Sequence, residues 1–143
     1  MLRRVTAAFV VTVILSLTTG CSDDETPTGG DGNGGGNEDV SFATQVLPIF
    51  TATCAVSGCH NAATAQEGLV LDAGNAYDNI VDIASSQNPS IKRVNPGDPD
   101  NSYLVMKIEG TAPGDRMPRG RPALSAAQIQ LIRDWIEQGA LDN

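Results

Sequence analysis

Three neighbouring residues of this chain could do chemistry, and they lie within the stretch CAVSGCH. Cys54 and Cys59 supply two thiols, and His60 supplies an imidazole. His60 is the only histidine of the chain, and the one further cysteine is Cys21. Thiols and imidazoles bind metals, and two thiols in an oxidising compartment form a disulfide. The residue types therefore indicate a metal or cofactor site, or a disulfide.

The number of ligands argues against zinc and copper sites. Structural zinc usually takes four Cys or His ligands, and here only three lie near one another. Copper electron-transfer sites use two histidines with a cysteine, whereas this chain has one histidine. Neither metal is expected.

A disulfide between Cys54 and Cys59 stays open from these seven residues. A five-residue separation satisfies disulfide geometry when a turn lies between the cysteines. Export of the protein would favour oxidation. In that case His60 is an ordinary surface residue.

Covalent attachment of haem also stays open. The common attachment motif, C-x-x-C-H, joins two cysteines to haem, and the histidine that follows binds the iron. Here Cys54 and Cys59 are two residues further apart, and in a continuous helix the two sulfurs would point about 140° apart. Residues 55–58 must therefore bulge out of the helix, and Ser57 and Gly58 are residue types that permit such a turn.

Met117 is the candidate for the second protein ligand of a haem iron. It lies in GDRMPRGRPALS, where prolines and glycines predict a loop. Met106, on an apolar helical stripe, better fits a packing role. Arg116, Arg119 and Arg121 flank Met117; they could pair with haem carboxylates, bind an acidic partner or remain solvated.

One helix is predicted before the cysteine motif and another after it. Apolar spacing predicts one from Ser41 into the cysteine motif, with Pro48 able to kink or split it. A second begins near residue 101 or 102, continues to Ile108 and ends before Gly110.

The strongest helix signal is near the C-terminus. Ser125 is a good N-cap and Gln128 completes a capping box, so a helix is predicted over Ala126 to Gln138, with Gly139 at its end. Residues 61–76, 84–100 and 110–123 are rich in turn formers and show only a weak strand pattern near Leu69 to Leu71.

The predicted folded part, residues 40–143, has few aromatic side chains for its core. There are five of them: Phe42, Phe50, Tyr77, Tyr103 and Trp135. About 104 residues can form one small core. Because long loops without secondary structure usually serve a site, we expect them to wrap a cofactor that supplies the missing apolar bulk.

The N-terminal residues are typical of an exported lipoprotein. Arg3 and Arg4 precede an apolar run from about Val5 to Leu17, so residues 1–20 resemble a secretory signal peptide. The apolar run is too short for a permanent membrane helix. Cys21 follows LTTG, which resembles a lipobox despite Thr18 in place of the usual leucine. Lipid on Cys21 would anchor the chain, and Ser22 resembles lipoproteins sorted to an outer membrane.

Residues 21–39 are predicted to be a flexible tether, because they carry six acidic residues, no basic residue and no large apolar side chain. The folded part has seven basic and eleven acidic residues. This acidic balance argues against nucleic acid as a partner.

Several separated stretches together resemble the single-haem cytochrome c domains of exported planctomycete, myxobacterial and Bacteroidetes proteins. The stretches are VLPIFTATCAVSGCH, GLVLD, VNPGDPDNSYLVMKIEG, RMPRGRPALS and IRDWIEQGALDN. They keep the family's order over residues 41–143. The cysteine spacing departs from the family motif.

The resemblance implies an all-α, cytochrome c-like fold around one covalently bound haem c. By that resemblance Cys54 and Cys59 are the thioether attachments, His60 is the proximal iron ligand and Met117 is the distal one. The helix of Trp135 would pack across the N-terminal helix. The expected function is one-electron transfer between redox proteins at the cell envelope, without enzyme activity; the alternative is a non-redox exported lipoprotein with a Cys54–Cys59 disulfide.

Overall fold

The computed structural model describes residues 39–143. The predicted signal peptide, Cys21 and the predicted tether up to residue 38 lie outside the described residues. The described helical elements are a π-helical segment at Phe42–Val46, α1 at Leu47–Thr53, a 3-10 turn at Gln66–Gly68, α2 at Ala76–Ile80, α3 at Tyr103–Glu109 and α4 at Ala126–Glu137. Residues 39–143 contain no β-strand, only isolated bridges that pair Val81 with Val94 and Ala84 with Lys92. The all-α class is confirmed.

The first predicted helix is split, as Pro48 suggests. The side chain of Ser41 accepts a hydrogen bond from the Thr44 N–H at 3.3 Å and begins the π-helical segment. Pro48 lies in the first turn of α1, where its missing N–H costs no helical hydrogen bond. Helix α1 then ends at Thr53, directly before Cys54.

The two other predicted helices are confirmed, with small differences at their ends. Gly110 ends α3 with a φ of +82°, a left-handed conformation that glycine adopts without strain. At α4, the Gln128 N–H donates to Ser125 Oγ at 3.2 Å and the Ser125 N–H donates to Gln128 Oε1 at 3.0 Å. Helix α4 ends at Glu137, one residue before the predicted end.

Helix α2 and the path of residues 69–71 were not predicted. Helix α2 is only five residues long, and burial of Ala76 and Ile80 holds it against the core. The weak strand pattern near Leu69 to Leu71 does not form a strand; instead the Leu71 N–H donates to the His60 carbonyl at 2.7 Å. Residues 69–71 therefore pack along the cysteine loop.

The N-terminal segment and α4 meet at a cluster of aromatic rings. The ring of Phe42 lies 5.1 Å from that of Trp135 and 5.4 Å from that of Tyr77, centre to centre. Trp135 is fully buried, and its indole N–H donates to the Leu141 carbonyl at 2.9 Å. The predicted contact between the helix of Trp135 and the N-terminal helical segment is present.

Helices α3 and α4 also contact each other, and Arg133 of α4 bridges to the carboxylates of Glu109 and Asp100. The Asp100 hydrogen bond is the main cause that raises the pKa of Arg133.

Within residues 39–143, none of the helices combines the length and the apolar character needed to cross a membrane.

Candidate functional site

A largely aliphatic cavity brings together residues that are far apart in the sequence. It encloses about 80 Å³, or about 640 Å³ when the open solvent at its mouth is included. Cys54, His60 and Met117 all line it. The apolar part of its wall is formed by Leu69, Leu71, Ile80, Leu104 and Ile108. We call it the apolar cavity.

Cys54 is placed by the end of α1. Its N–H donates to the Phe50 carbonyl at 2.9 Å, and its Sγ lies 3.3 Å from Thr53 Oγ1. The side chain packs against the hydrophobic core. Burial raises the pKa of the Cys54 thiol above its ordinary value, with the Thr53 hydrogen bond opposing. The thiol is therefore protonated at neutral pH.

The loop between the cysteines leaves the helix, and the predicted bulge at residues 55–58 is confirmed. The Cys59 N–H donates to the Val56 carbonyl at 3.0 Å, and Gly58 has a φ of +82° with open space around it. The His60 N–H returns to the Cys54 carbonyl at 3.1 Å and closes the loop. Cys59 is half-buried outside the apolar cavity, and both cysteines are free thiols.

His60 is oriented by main-chain carbonyls beyond the loop. Its Nδ1 lies 3.1 Å from the Gln66 carbonyl oxygen. A carbonyl only accepts, so Nδ1 carries the proton and the neutral ring keeps a lone pair on Nε2. Burial lowers the pKa of His60 below its ordinary value, and interactions with the main chain of Gln66 and of Leu69 oppose this. A neutral imidazole held through one ring nitrogen is the usual state of a metal-binding histidine.

Met117 lies in an irregular loop that is tied to α3. Its N–H donates to the Lys107 carbonyl at 2.8 Å, and its peptide bond to Pro118 is cis. The side chain is half-buried at the wall of the apolar cavity. The described structure thus brings Met117 to the same cavity as Cys54 and His60.

Two cationic residues that were not singled out from the sequence also line the apolar cavity. Arg93 donates to the carbonyls of Asn79, Glu67 and Gly68 at 2.8, 3.0 and 3.3 Å. Burial lowers its pKa. Lys107 is buried on α3. The available signal for Lys107 was its position inside the apolar pattern SYLVMKIEG, where a solvated lysine is not expected.

The three arginines around Met117 do not line the apolar cavity, although Arg121 is close enough to affect the Cys54 thiol electrostatically. Arg116, Arg119 and Arg121 are all exposed and none lines that cavity. The stem of Arg116 lies over Gly110. Arg119 lies 3.8 Å from Asp115. These contacts leave a role in partner binding open for the three arginines.

A second, polar cavity adjoins the first. Its volume is about 840 Å³ including its wide mouth. It shares four wall residues with the apolar cavity: Gln87, Tyr103, Lys107 and Met117. It adds Asn88, Asp115 and Arg119, and it is lined by neither cysteine nor by His60. We call it the polar cavity.

A comparison of the chain with protein-family models, with curated proteins and with solved structures finds no match. Within residues 39–143, no three His, Cys, Asp or Glu side chains come together in a way that could hold a metal ion. The features of the described residues that bear on function are therefore the apolar cavity and the three predicted site residues that line it.

Proposed function

We propose that the protein is an exported, lipid-anchored monohaem c-type cytochrome that carries one electron at a time between redox proteins. The observation that carries this proposal is that Cys54, His60 and Met117, spread over more than sixty residues of sequence, line one apolar cavity. An electron carrier, not an enzyme, is the role that two axial protein ligands favour.

The residues present fit a haem. Most of the exposed wall area is apolar, and the wall carries an imidazole and a thioether, which are the ligand types of c-type cytochromes. Cys59 lies outside the wall. The polar wall residues besides His60 are Glu67, Ser85, Ser86, Gln87, Arg93 and Lys107. In this proposal Cys54 and Cys59 attach haem c through thioethers, and His60 and Met117 are the axial ligands. Bound haem would supply a reversible one-electron change between ferric and ferrous iron.

The protein groups around the cavity have separate tasks in this proposal. The aliphatic side chains exclude water, which sets the polarity of the site. The Gln66 carbonyl holds the imidazole of His60 in one orientation. The thioether of Met117 favours the reduced state and raises the reduction potential relative to two nitrogen ligands. With His60 and Met117 both bound to the iron, the chain would leave no position there for a substrate.

The anchoring part of the proposal comes from the sequence. Lipid on Cys21 would hold the acidic tether, residues 21–39, at the surface of a bacterial membrane, with the outer membrane favoured over the inner one. The folded part would then meet redox proteins in the periplasm or at the cell envelope. Its acidic charge does not favour nucleic acid as a partner.

The full chain, expressed in bacteria with a haem maturation system, tests the proposal. We expect a Soret band and an intact mass that is higher by one haem. Cys59→Ala and His60→Ala should lose covalent attachment or normal ligation. Ser57→Ala is the matched control, because Ser57 is exposed in the same loop and touches no ligand residue through its side chain. Wild-type protein without a Soret band would refute the cytochrome.

A second candidate is a non-redox lipoprotein module with a Cys54–Cys59 disulfide. What favours it is the turn between the two cysteines, which the Cys59 N–H closes on the Val56 carbonyl, although both thiols are free in this structure. The same mass measurement separates the two candidates. The disulfide protein would be two hydrogens lighter than the reduced chain and would have no visible absorption.

A further inference from the structure

Lys107 is the only buried charged residue in the described part of the chain. It is 9% exposed, and it lies in the wall that the apolar and polar cavities share. Lysine is almost never buried to this degree without a partner for its charge. The surroundings of its ammonium group therefore need an explanation.

The ammonium group of Lys107 has unused hydrogen-bond donors. Nζ donates to the Pro113 carbonyl at 3.1 Å, and an ammonium group has three donors. Within residues 39–143, Lys107 forms no ion pair with any carboxylate. The position is thus suited to an anionic group of a bound ligand.

Arg93, the other cation of the apolar cavity, is less suited to that role. Three of its N–H donors already bind the carbonyls of Asn79, Glu67 and Gly68. Its guanidinium group is therefore committed to holding the chain together. Lys107 keeps donors available at the point where the wall changes from aliphatic to polar.

We propose that the ammonium group of Lys107 binds a carboxylate of the haem, and that the carboxylate edge faces the polar cavity. This inference rests on the proposed function. Haem has an apolar ring and two carboxylate side chains, so the aliphatic wall takes the ring and the shared wall takes the anionic edge. Beyond Lys107, the polar cavity offers Asn88 and Arg119 to the same edge. Arg119 is already paired with Asp115 at 3.8 Å, which leaves Lys107 as the uncompensated cation.

The chain offers a matched control, because it contains only two lysines. Lys92 is exposed, lines neither cavity and pairs with Asp82 at 2.6 Å. In holo wild-type protein labelled with ¹⁵N-lysine, only two Nζ signals are possible. We expect the Lys107 signal to shift between the ferrous and ferric states, because paramagnetic ferric iron would lie near it. The Lys92 signal should stay in place, and it is identified by its loss in Lys92→Met.

Variants of the holo protein test the carboxylate contact itself. Lys107→Met should keep covalent haem, shift the haem carboxylate bending band in the resonance Raman spectrum and lower the reduction potential, because a nearby positive charge disfavours ferric iron. Lys107→Arg should restore the band towards wild type. Lys92→Met should leave both readouts unchanged.

The outcomes separate the two proposals. If wild-type protein carries haem but neither lysine signal moves with oxidation state, the role of Lys107 is refuted and the cytochrome stands. Equal band shifts in Lys107→Met and Lys92→Met would refute it too. If Lys107→Met does not mature, the wild-type lysine signals decide alone. If the mass and the visible spectrum show that wild-type protein has no haem, the proposed function itself is refuted before the role of Lys107 is tested.

Discussion

At the scale of single residues, the hydrogen bond from the His60 N–H to the Cys54 carbonyl fixes where His60 lies relative to Cys54. The chain between them makes its own turn at Gly58 and returns to the same place. The main chain therefore holds His60, the proposed iron ligand, next to Cys54.

Deleting Ser57 and Gly58 should therefore preserve covalent haem, because it restores the common C-x-x-C-H spacing without removing a thiol or the imidazole. The measurement is the intact mass together with the visible spectrum of the matured protein. His60→Ala in the same background is the control that should lose normal ligation. Loss of covalent haem on deletion, with Cys59 present, would contradict this prediction.

The thiol of Cys54 should react slowly in reduced, haem-free protein. Burial raises its pKa, so less thiolate is present at neutral pH, and thiolate is the nucleophile. We expect iodoacetamide to modify Cys59 before Cys54, as followed by peptide mass spectrometry at pH 7.5 to 8. In urea the two rates should become similar. Faster modification of Cys54 under native conditions would show that its burial is wrong.

The sequence indicates residue chemistry well where that chemistry is local. The bulge between Cys54 and Cys59 follows from helix geometry alone, since five residues cannot bring two sulfurs to one face. Met117 could be picked out because prolines and glycines predict its loop. The pattern SYLVMKIEG places Lys107 among apolar positions, but its contacts could not be derived in this way, since they depend on Met117 and Pro113 folding back onto α3 from later in the chain.

At the scale of elements, the end of α3 determines where the loop of Met117 begins. Gly110 ends the helix with a φ of +82°, and the Met106 carbonyl accepts N–H groups from Gly110 and Thr111. A side chain on Gly110 would have its Cβ 3.1 Å from Arg116 Cδ. The turn therefore needs glycine both for its backbone conformation and for its contact with the stem of Arg116.

Gly110→Ala should destabilise the protein by more than Gly120→Ala. Gly120 has a φ of +69° with nothing within 4 Å, so alanine there adds only backbone strain, about 1–2 kcal/mol. At Gly110 the stem of Arg116 must also shift. The check is urea unfolding of both variants. Arg116→Ser should reduce the difference between them; equal costs without that change would mean that the close contact is unimportant.

The elements that could be predicted are those with their own local signals. Helix α4 has a capping box, an apolar stripe and a glycine after its end, and these signals act within a few residues of one another. Helix α2 has one turn and no capping side chain. It forms because Ala76 and Ile80 are buried by distant parts of the chain, which local patterns do not report.

At the scale of the whole molecule, the aromatic side chains and the apolar cavity occupy different places. Phe42, Tyr77 and Trp135 form one cluster with Phe50 at the crossing of the N-terminal segment and α4. Of the five aromatics, only Tyr103 lines the apolar cavity. The region around the apolar cavity is thus the part of the domain that is poor in aromatic side chains, and it is where the cofactor is proposed to bind.

Cys21→Ser should move the protein from the membrane fraction to the aqueous fraction, because a serine cannot receive the lipid. Its visible spectrum should stay that of wild type, since residues 39–143 contain every proposed haem contact. Fractionation of cells followed by immunoblotting measures this, with Ser22→Ala as the neighbouring control. Unchanged partition of Cys21→Ser would exclude the lipid anchor while leaving the cytochrome intact.

The cluster around Trp135 also gives the protein a built-in optical probe. Trp135 is the only tryptophan of the chain and is fully buried. A domain of about 100 residues has a radius of gyration of about 13 Å, which is well within the range of energy transfer from an indole to a haem. Emission should therefore be weak and blue-shifted in loaded, folded protein and strong in protein without haem. One emission spectrum, read before and after adding urea, would report folding and loading of the same sample together.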